Sequence, residues 1–177
     1  MIRRAPVIRS VSTALLLTCS LAASASAQLR PMVYAETTVE VSPSEAFADW
    51  TSSNSIESFF APKATIEPKP GGLYELCFAP DAPEGSCGND DGRILGLEDG
   101  QMVSFTWAMP PYMPEIRPHL TSVQIYFEPI DDETTRVRLF HTGFGTSEAW
   151  DQGHDYFEQT WPAVLQNYKK FKEGETP

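Results

Sequence analysis

Two histidines flank the point where this chain changes from strand to helix, and they are the side chains best suited to chemistry. His141 closes an alternating run, TRVRLFH, in which Val137, Leu139 and His141 share one face while Arg136, Arg138 and Phe140 share the other. An imidazole on the apolar face can anchor a bound molecule, or can move a proton near neutral pH. It can equally be a hydrogen-bonded residue that fixes the strand-to-helix corner, since parity places no inward carboxylate to orient it. His154 follows Trp150 by one helical turn and can face the same space. Two histidines with no assignable third ligand are a weak metal signal, so neither a metal nor a cofactor is expected.

Aromatic rings surround these histidines. Phe105 and Trp107 continue an inward series begun by Val103, and Tyr112 sits in a loop stiffened by Pro110, Pro111 and Pro114 that could form a lip over a cavity mouth. Phe144 and Trp150, near the helix start, are placed to border an opening. Phe157 is counted with them as a ligand contact, although with Trp161 and Leu165 it reads first as core packing. The corner from His141 to His154 is therefore where function is expected. Covalent catalysis finds no nucleophile-elbow pattern. The acidic groups Asn89-Asp90-Asp91-Gly92 and Asp131-Asp132-Glu133 read as turns.

These residues must be positioned by the elements around them. MVYAETTVEV, residues 32–41, alternates as a first strand. Ser42 then caps a short helix with Pro43 at its first position, and a second short helix is expected over Asn54–Phe60. Strands follow over 64–69, 73–78, 93–98, 101–109 and 121–129, and a last one ends at His141. From Trp150 the apolar period becomes helical through His154, Phe157, Trp161, Leu165 and Tyr168. Pro162 is expected to kink this helix or to mark a break just before Trp161. Uninterrupted strands imply antiparallel pairing, and separate helices imply an α+β arrangement: a curved sheet gripping a long C-terminal helix.

The first 27 residues have the layout of a secretory signal peptide. Arg3, Arg4 and Arg9 precede an apolar run from Ala14 to Ala23 that is too short to span a bilayer, and Ala25-Ser26-Ala27 supplies the cleavage pattern. The expected product is one exported domain, residues 28–177, periplasmic or secreted. Thr18 before Cys19 fits a lipoprotein signal poorly. Cleavage after Ala27 removes those three arginines, leaving 10 basic residues against 24 acidic ones and a formal charge of −14. Such a charge disfavours nucleic acid and anionic membrane surfaces as partners, and no other segment is apolar enough for membrane insertion. Cys77 and Cys87 then remain, and in an exported protein a disulfide between them is the default.

SPSEAFADWT, PGGLYELCF, GRILGLEDGQMVSFTW and TRVRLFHTGF, followed by a helix containing Trp161 and Leu165, together resemble one family. It comprises domains similar to the C-terminal domain of the Hsp90 ATPase activator (AHSA1-type), in the START/Bet v 1-like SRPBCC superfamily. The resemblance runs from about Val33 to Phe171. It implies a helix-grip fold, with a seven-stranded sheet around the long helix and a cavity between them. It also implies the superfamily's usual occupation, the binding of apolar or amphipathic small molecules, with some members cyclases or hydrolases. The expected function is an exported protein holding an apolar or aromatic ligand between sheet and helix. The alternatives are a cavity enzyme using His141 for proton transfer and a chaperone-assisting interaction module.

Overall fold

The computed structural model describes residues 32–83 and 85–177. The expected leader and Cys19 lie outside the described residues. Strand β1 (Val33–Val39) leads into helices α1 (Pro43–Trp50) and α2 (Ser53–Phe59). Strands β2 (Lys63–Ile66), β3 (Tyr74–Cys77), β4 (Gly88–Asn89), β5 (Ile94–Glu98), β6 (Met102–Trp107), β7 (Thr121–Pro129) and β8 (Thr135–Thr142) follow, and helix α3 (Glu148–Lys172) closes the chain.

Each helix starts where the local chemistry dictates. Ser42 Oγ accepts from Glu45 N at 3.3 Å, and Pro43 occupies the first turn, where an N–H would have no helical partner. Ser52 caps α2 in the same way through Ser55 N. Helix α3 relies instead on charge. Glu148 and Asp151 lie in its first turn and three lysines in its last, each sign matched to the helix dipole. Pro162 neither ends nor breaks α3, so the expected break just before Trp161 does not occur. It is exposed, so the helix loses one amide bond on the face where water can serve the freed carbonyl.

The expected single seven-stranded sheet is two sheets. Five strands pair in the order β1-β8-β7-β6-β5, and β2-β3-β4 form a smaller sheet. The two meet at a bridge between Leu73 and Arg93, flanked by Tyr74 N to Gly92 O and Ile94 N to Gly72 O, each 2.9 Å. A Cβ on Gly92 would collide with Tyr74 O, so only glycine permits this approach. The β5–β6 register shifts between Ile94 and Gly96, a bulge that helps the larger sheet curve away from continuous pairing.

The concave face of the larger sheet carries Val103, Phe105, Val123, Ile125, Val137 and Leu139, all fully buried. Against them α3 lays Phe157, Trp161, Leu165 and Tyr168. Each such side chain, fully buried, contributes roughly 1.5–3 kcal/mol by removal from water. The far end of α3 is fastened to α1. Tyr168 Oη donates to Asp49 Oδ2 at 3.0 Å, and Lys172 Nζ donates to Asp49 at 2.9 Å and to Glu45 at 2.7 Å. Burial works against the charge of Lys172, but these two carboxylates outweigh it and hold the ammonium above its ordinary pKa. Among the described residues, no helix is long and apolar enough to cross a membrane.

Candidate functional site

Strand parity sends His141 inward between its register partners Val33 and Val123, and it is fully buried. Both ring nitrogens are occupied. Trp161 Nε1 donates to His141 Nδ1 at 3.0 Å, and His141 Nε2 stands 2.7 Å from Thr121 Oγ1. An indole N–H can only donate, so Nδ1 carries no proton and the ring is the neutral Nε2–H tautomer. Nε2 therefore donates to Thr121 Oγ1, whose own proton goes to the Trp107 carbonyl at 2.9 Å. The chain from Trp161 through His141 and Thr121 to Trp107 is fully satisfied. Burial, followed by the field of His154, pushes the imidazole down to about 3, so it stays neutral under ordinary conditions.

The rest of the corner closes over this chain. Phe144 packs on His141 with centroids 4.5 Å apart, and both His154 and Trp150 set their rings nearly perpendicular to Phe144, at 5.1 and 6.2 Å. His154 is itself buried, with Nδ1 3.8 Å from Asp155 and 3.9 Å from Glu158. These three residues could supply clustered ligand atoms, but both acids are exposed on the helix surface, a common arrangement without an ion.

The open space lies elsewhere. A cleft of about 380 Å³ is bounded on one side by α3, through Tyr156, Phe157, Thr160, Trp161 and Val164. Facing the helix are Trp107 and Ala108, where β6 ends, and the loop through Pro110, Pro111 and Tyr112. Phe60 follows α2, Phe78 and Ala79 follow β3, and Ser86–Gly88 complete the wall. Its floor is a set of packed rings. Phe60 lies nearly parallel to Trp107 (7°, 5.7 Å), and Trp161 meets Trp107 at 60° and 5.0 Å. Its mouth carries the exposed rings of Phe78, Tyr112 and Tyr156.

Two devices hold the cleft wall. Cys77 and Cys87 are joined by a disulfide, with Cα atoms 4.7 Å apart, which ties the wall loop to β3. Arg117 reaches across to that loop, donating to Gly85 O, Gly88 O and, at 2.6 Å, to Asp90, while also contacting Met109 O in its own segment. Asp90 in turn accepts from Cys87 N and Gly88 N. Buried Asn89 bonds Tyr74 O, Thr106 O and Ala108 N, joining the small sheet to the end of β6. The acidic turn read at 89–92 thus has a structural task, and Asp91 takes its positive φ of 59°.

Of the residues expected to meet a ligand, Trp107, Tyr112 and Phe157 line the cleft. Phe105, His141, Phe144, Trp150 and His154 do not. Phe105 is fully buried and stacked 3.8 Å from Tyr74, and the other four form the packed corner one to three turns nearer the start of α3. Sequence reasoning missed Phe60, Phe78, Thr160, Val164 and the Ser86–Gly88 wall as lining. The spacing of Tyr156, Thr160 and Val164 at four-residue intervals was the available signal, marking a second stripe beside the core stripe.

A curved antiparallel sheet closed over a long C-terminal helix, with a ring-lined cleft at its edge, defines a helix-grip protein of the START/Bet v 1-like SRPBCC type. The chain belongs to the family described as activator of Hsp90 ATPase homolog 1-like protein, whose model matches residues 40–172. Its fold is similar to that of protein MLL2253 from Mesorhizobium loti, at 17% identity over 81% of this chain and 98% of the other, with a TM-score of 0.65. It is similar also to the Aha1 dimer from Colwellia psychrerythraea, at 14% identity over 81% and 97%, with a TM-score of 0.62. An HSP90 activator from Plasmodium falciparum aligns at 17% identity over 80% and 96%, with a TM-score of 0.58. Among the curated proteins none matches the chain in sequence.

Proposed function

We propose that this chain is an exported binding protein that holds an apolar or aromatic small molecule in the cleft beneath α3. The observation that carries the reading is the lining itself: tryptophan and phenylalanine walls with no charged side chain among the described residues. Ligand sites are concave and mostly apolar, and this cavity is within their usual size. The alternative of proton transfer by His141 is disfavoured by its place. The imidazole is outside the cleft, behind Trp161, and both nitrogens are already bonded. The leader-like residues 1–27 support export, which would separate the chain from a cytosolic chaperone.

Native mass spectrometry of the protein purified from its producing cells tests the binding. The expected spectrum shows a small-molecule adduct that organic solvent releases. Thr160→Trp, which fills the cleft from an accessible helix position, should lose that adduct while keeping its thermal midpoint within a few degrees. A bare polypeptide mass, together with no change in tryptophan emission on adding naphthalene derivatives, would sink the reading. N-terminal sequencing of exported protein should begin at Gln28, and recovery of an intact Met1 start only from the cytosol would remove the export part.

A further inference from the structure

Three indole N–H groups in this half of the molecule have three different fates. That of Trp161 is bonded to His141. That of Trp50 is sealed and unpartnered, the sole such side-chain atom among the described residues. That of Trp107 has no acceptor among the described residues, although Trp107 is only 4% exposed, yet it is not sealed. It therefore keeps access to space that another atom can occupy, and the cleft is the cavity Trp107 lines. A guest that covered this N–H without offering an acceptor would leave it buried and unpaired, at a cost of about 1–3 kcal/mol that a ligand oxygen placed there avoids.

Most backbone donors of the inner lining are spent, while the hydroxyls of Tyr112 and Tyr156 stand at the exposed mouth and that of Ser86 on the half-buried wall. Phe78 N is bonded to Cys87 O and Ser86 N to Pro83 O, while Cys87 N and Gly88 N share Asp90 and Ala108 N goes to Asn89. Pro110 and Pro111 have no N–H to give. The Thr160 hydroxyl proton goes to Tyr156 O at 2.8 Å. A carboxylate held against Trp107 would find no cation among the described lining residues to replace its hydration, on a chain of formal charge −11 before any cleavage. A single accepting oxygen would be satisfied.

From these observations we infer that the cleft takes a neutral aromatic compound bearing a carbonyl-type oxygen, with that oxygen accepting from Trp107 Nε1. The inference rests on the cleft being a binding site, as proposed above, and adds the chemical class. The ring walls favour flat guests stacked on, or edge-on to, Trp107 and Trp161. A volume of about 380 Å³ equals roughly a dozen waters at about 30 Å³ each, room for a fused bicycle with a short substituent.

Three naphthalene derivatives of matched shape test the assignment: the methyl ketone, the isopropenyl hydrocarbon and the carboxylate. Tryptophan emission should give the ketone an affinity about fivefold to tenfold above the hydrocarbon, the ratio expected of one recovered hydrogen bond. The carboxylate should be the weakest of the three. In a proton–nitrogen correlation spectrum the Trp107 indole proton should move downfield with the ketone and not with the hydrocarbon. Trp107→Phe should make ketone and hydrocarbon equal, and if that variant does not fold, the wild-type indole resonance decides alone. Equal binding of ketone and hydrocarbon, strongest binding of the carboxylate, or an unmoved Trp107 indole at saturating ketone would overturn the class while leaving the cleft a binding site. If none of the three binds, the cleft reading fails and the inference fails with it.

Discussion

The corner around His141 and the cleft beside Trp107 share a wall, the Trp161 indole, yet treat polar groups in opposite ways. In the corner the three donors of Trp161, His141 and Thr121 each meet an acceptor inside the protein, ending at the Trp107 carbonyl. In the cleft the Trp107 N–H has no acceptor among the described residues. A satisfied buried network adds rigidity and fixes one arrangement, whereas an unsatisfied donor on a cavity wall is useful only once a guest arrives. The corner should therefore govern stability and the cleft binding, with Trp161 belonging to both.

Removing the shared wall should have the largest effect. Trp161→Ala leaves a large cavity and deprives His141 Nδ1 of its donor, so a loss of about 3–5 kcal/mol is expected in denaturant unfolding. A loss below about 1 kcal/mol would show that the corner is not packed as described. Next comes pH. The folded imidazole resists protonation until about 3, below its ordinary 6.5, so between these values the unfolded chain binds the extra proton. The stability due to neutral His141 is complete above 6.5 and is lost as pH falls toward 3, amounting to roughly 3 kcal/mol by about pH 4. His141→Gln should flatten that part of the stability profile measured across this range; an unchanged slope would contradict a buried neutral histidine.

Opening the Cys77–Cys87 disulfide with a thiol reductant should cost about 2–3 kcal/mol on the chain-entropy account of so short a loop. Because the loop forms cleft wall, ligand affinity should fall too, while the Trp161–His141 contact stays, as its indole resonance can report. The smallest effect on folding belongs to the mouth. Tyr112 is 66% exposed, so Tyr112→Ala should change stability by no more than about 0.5 kcal/mol, yet weaken binding of the naphthyl ketone measurably. A destabilising effect without a binding effect would reverse the division between the two regions.

Much of the fold was legible in the sequence because its signals are local. Alternation placed Val137, Leu139 and His141 on one face, the Ser42–Pro43 start fixed α1, and the 3.6-residue period carried α3 through Tyr168. The division into two sheets was not legible. β4 is two residues long, too short for a pattern, and the junction depends on Gly92 allowing its backbone to meet that of Tyr74. The break offered at Pro162 does not occur because a proline signals a lost amide bond, while its cost depends on which side of the helix faces water. Part of the cleft lining was legible. Trp107, Tyr112 and Phe157 were named, but the corner was favoured over the cleft because His141 is the more reactive residue type.

The sequence alone determined which rings and which histidine turn inward, since side-chain direction follows from the two-residue period of a strand and the 3.6-residue period of a helix. It also determined the family, through motifs in their order. Only the tertiary structure decided which inward groups are sealed and which remain accessible. Parity says what face a residue is on, but not what covers it. The cover over His141 comes from residues 121 to 161, and the opening at Trp107 exists because α2, the disulfide loop, the proline loop and α3 meet there without filling the space.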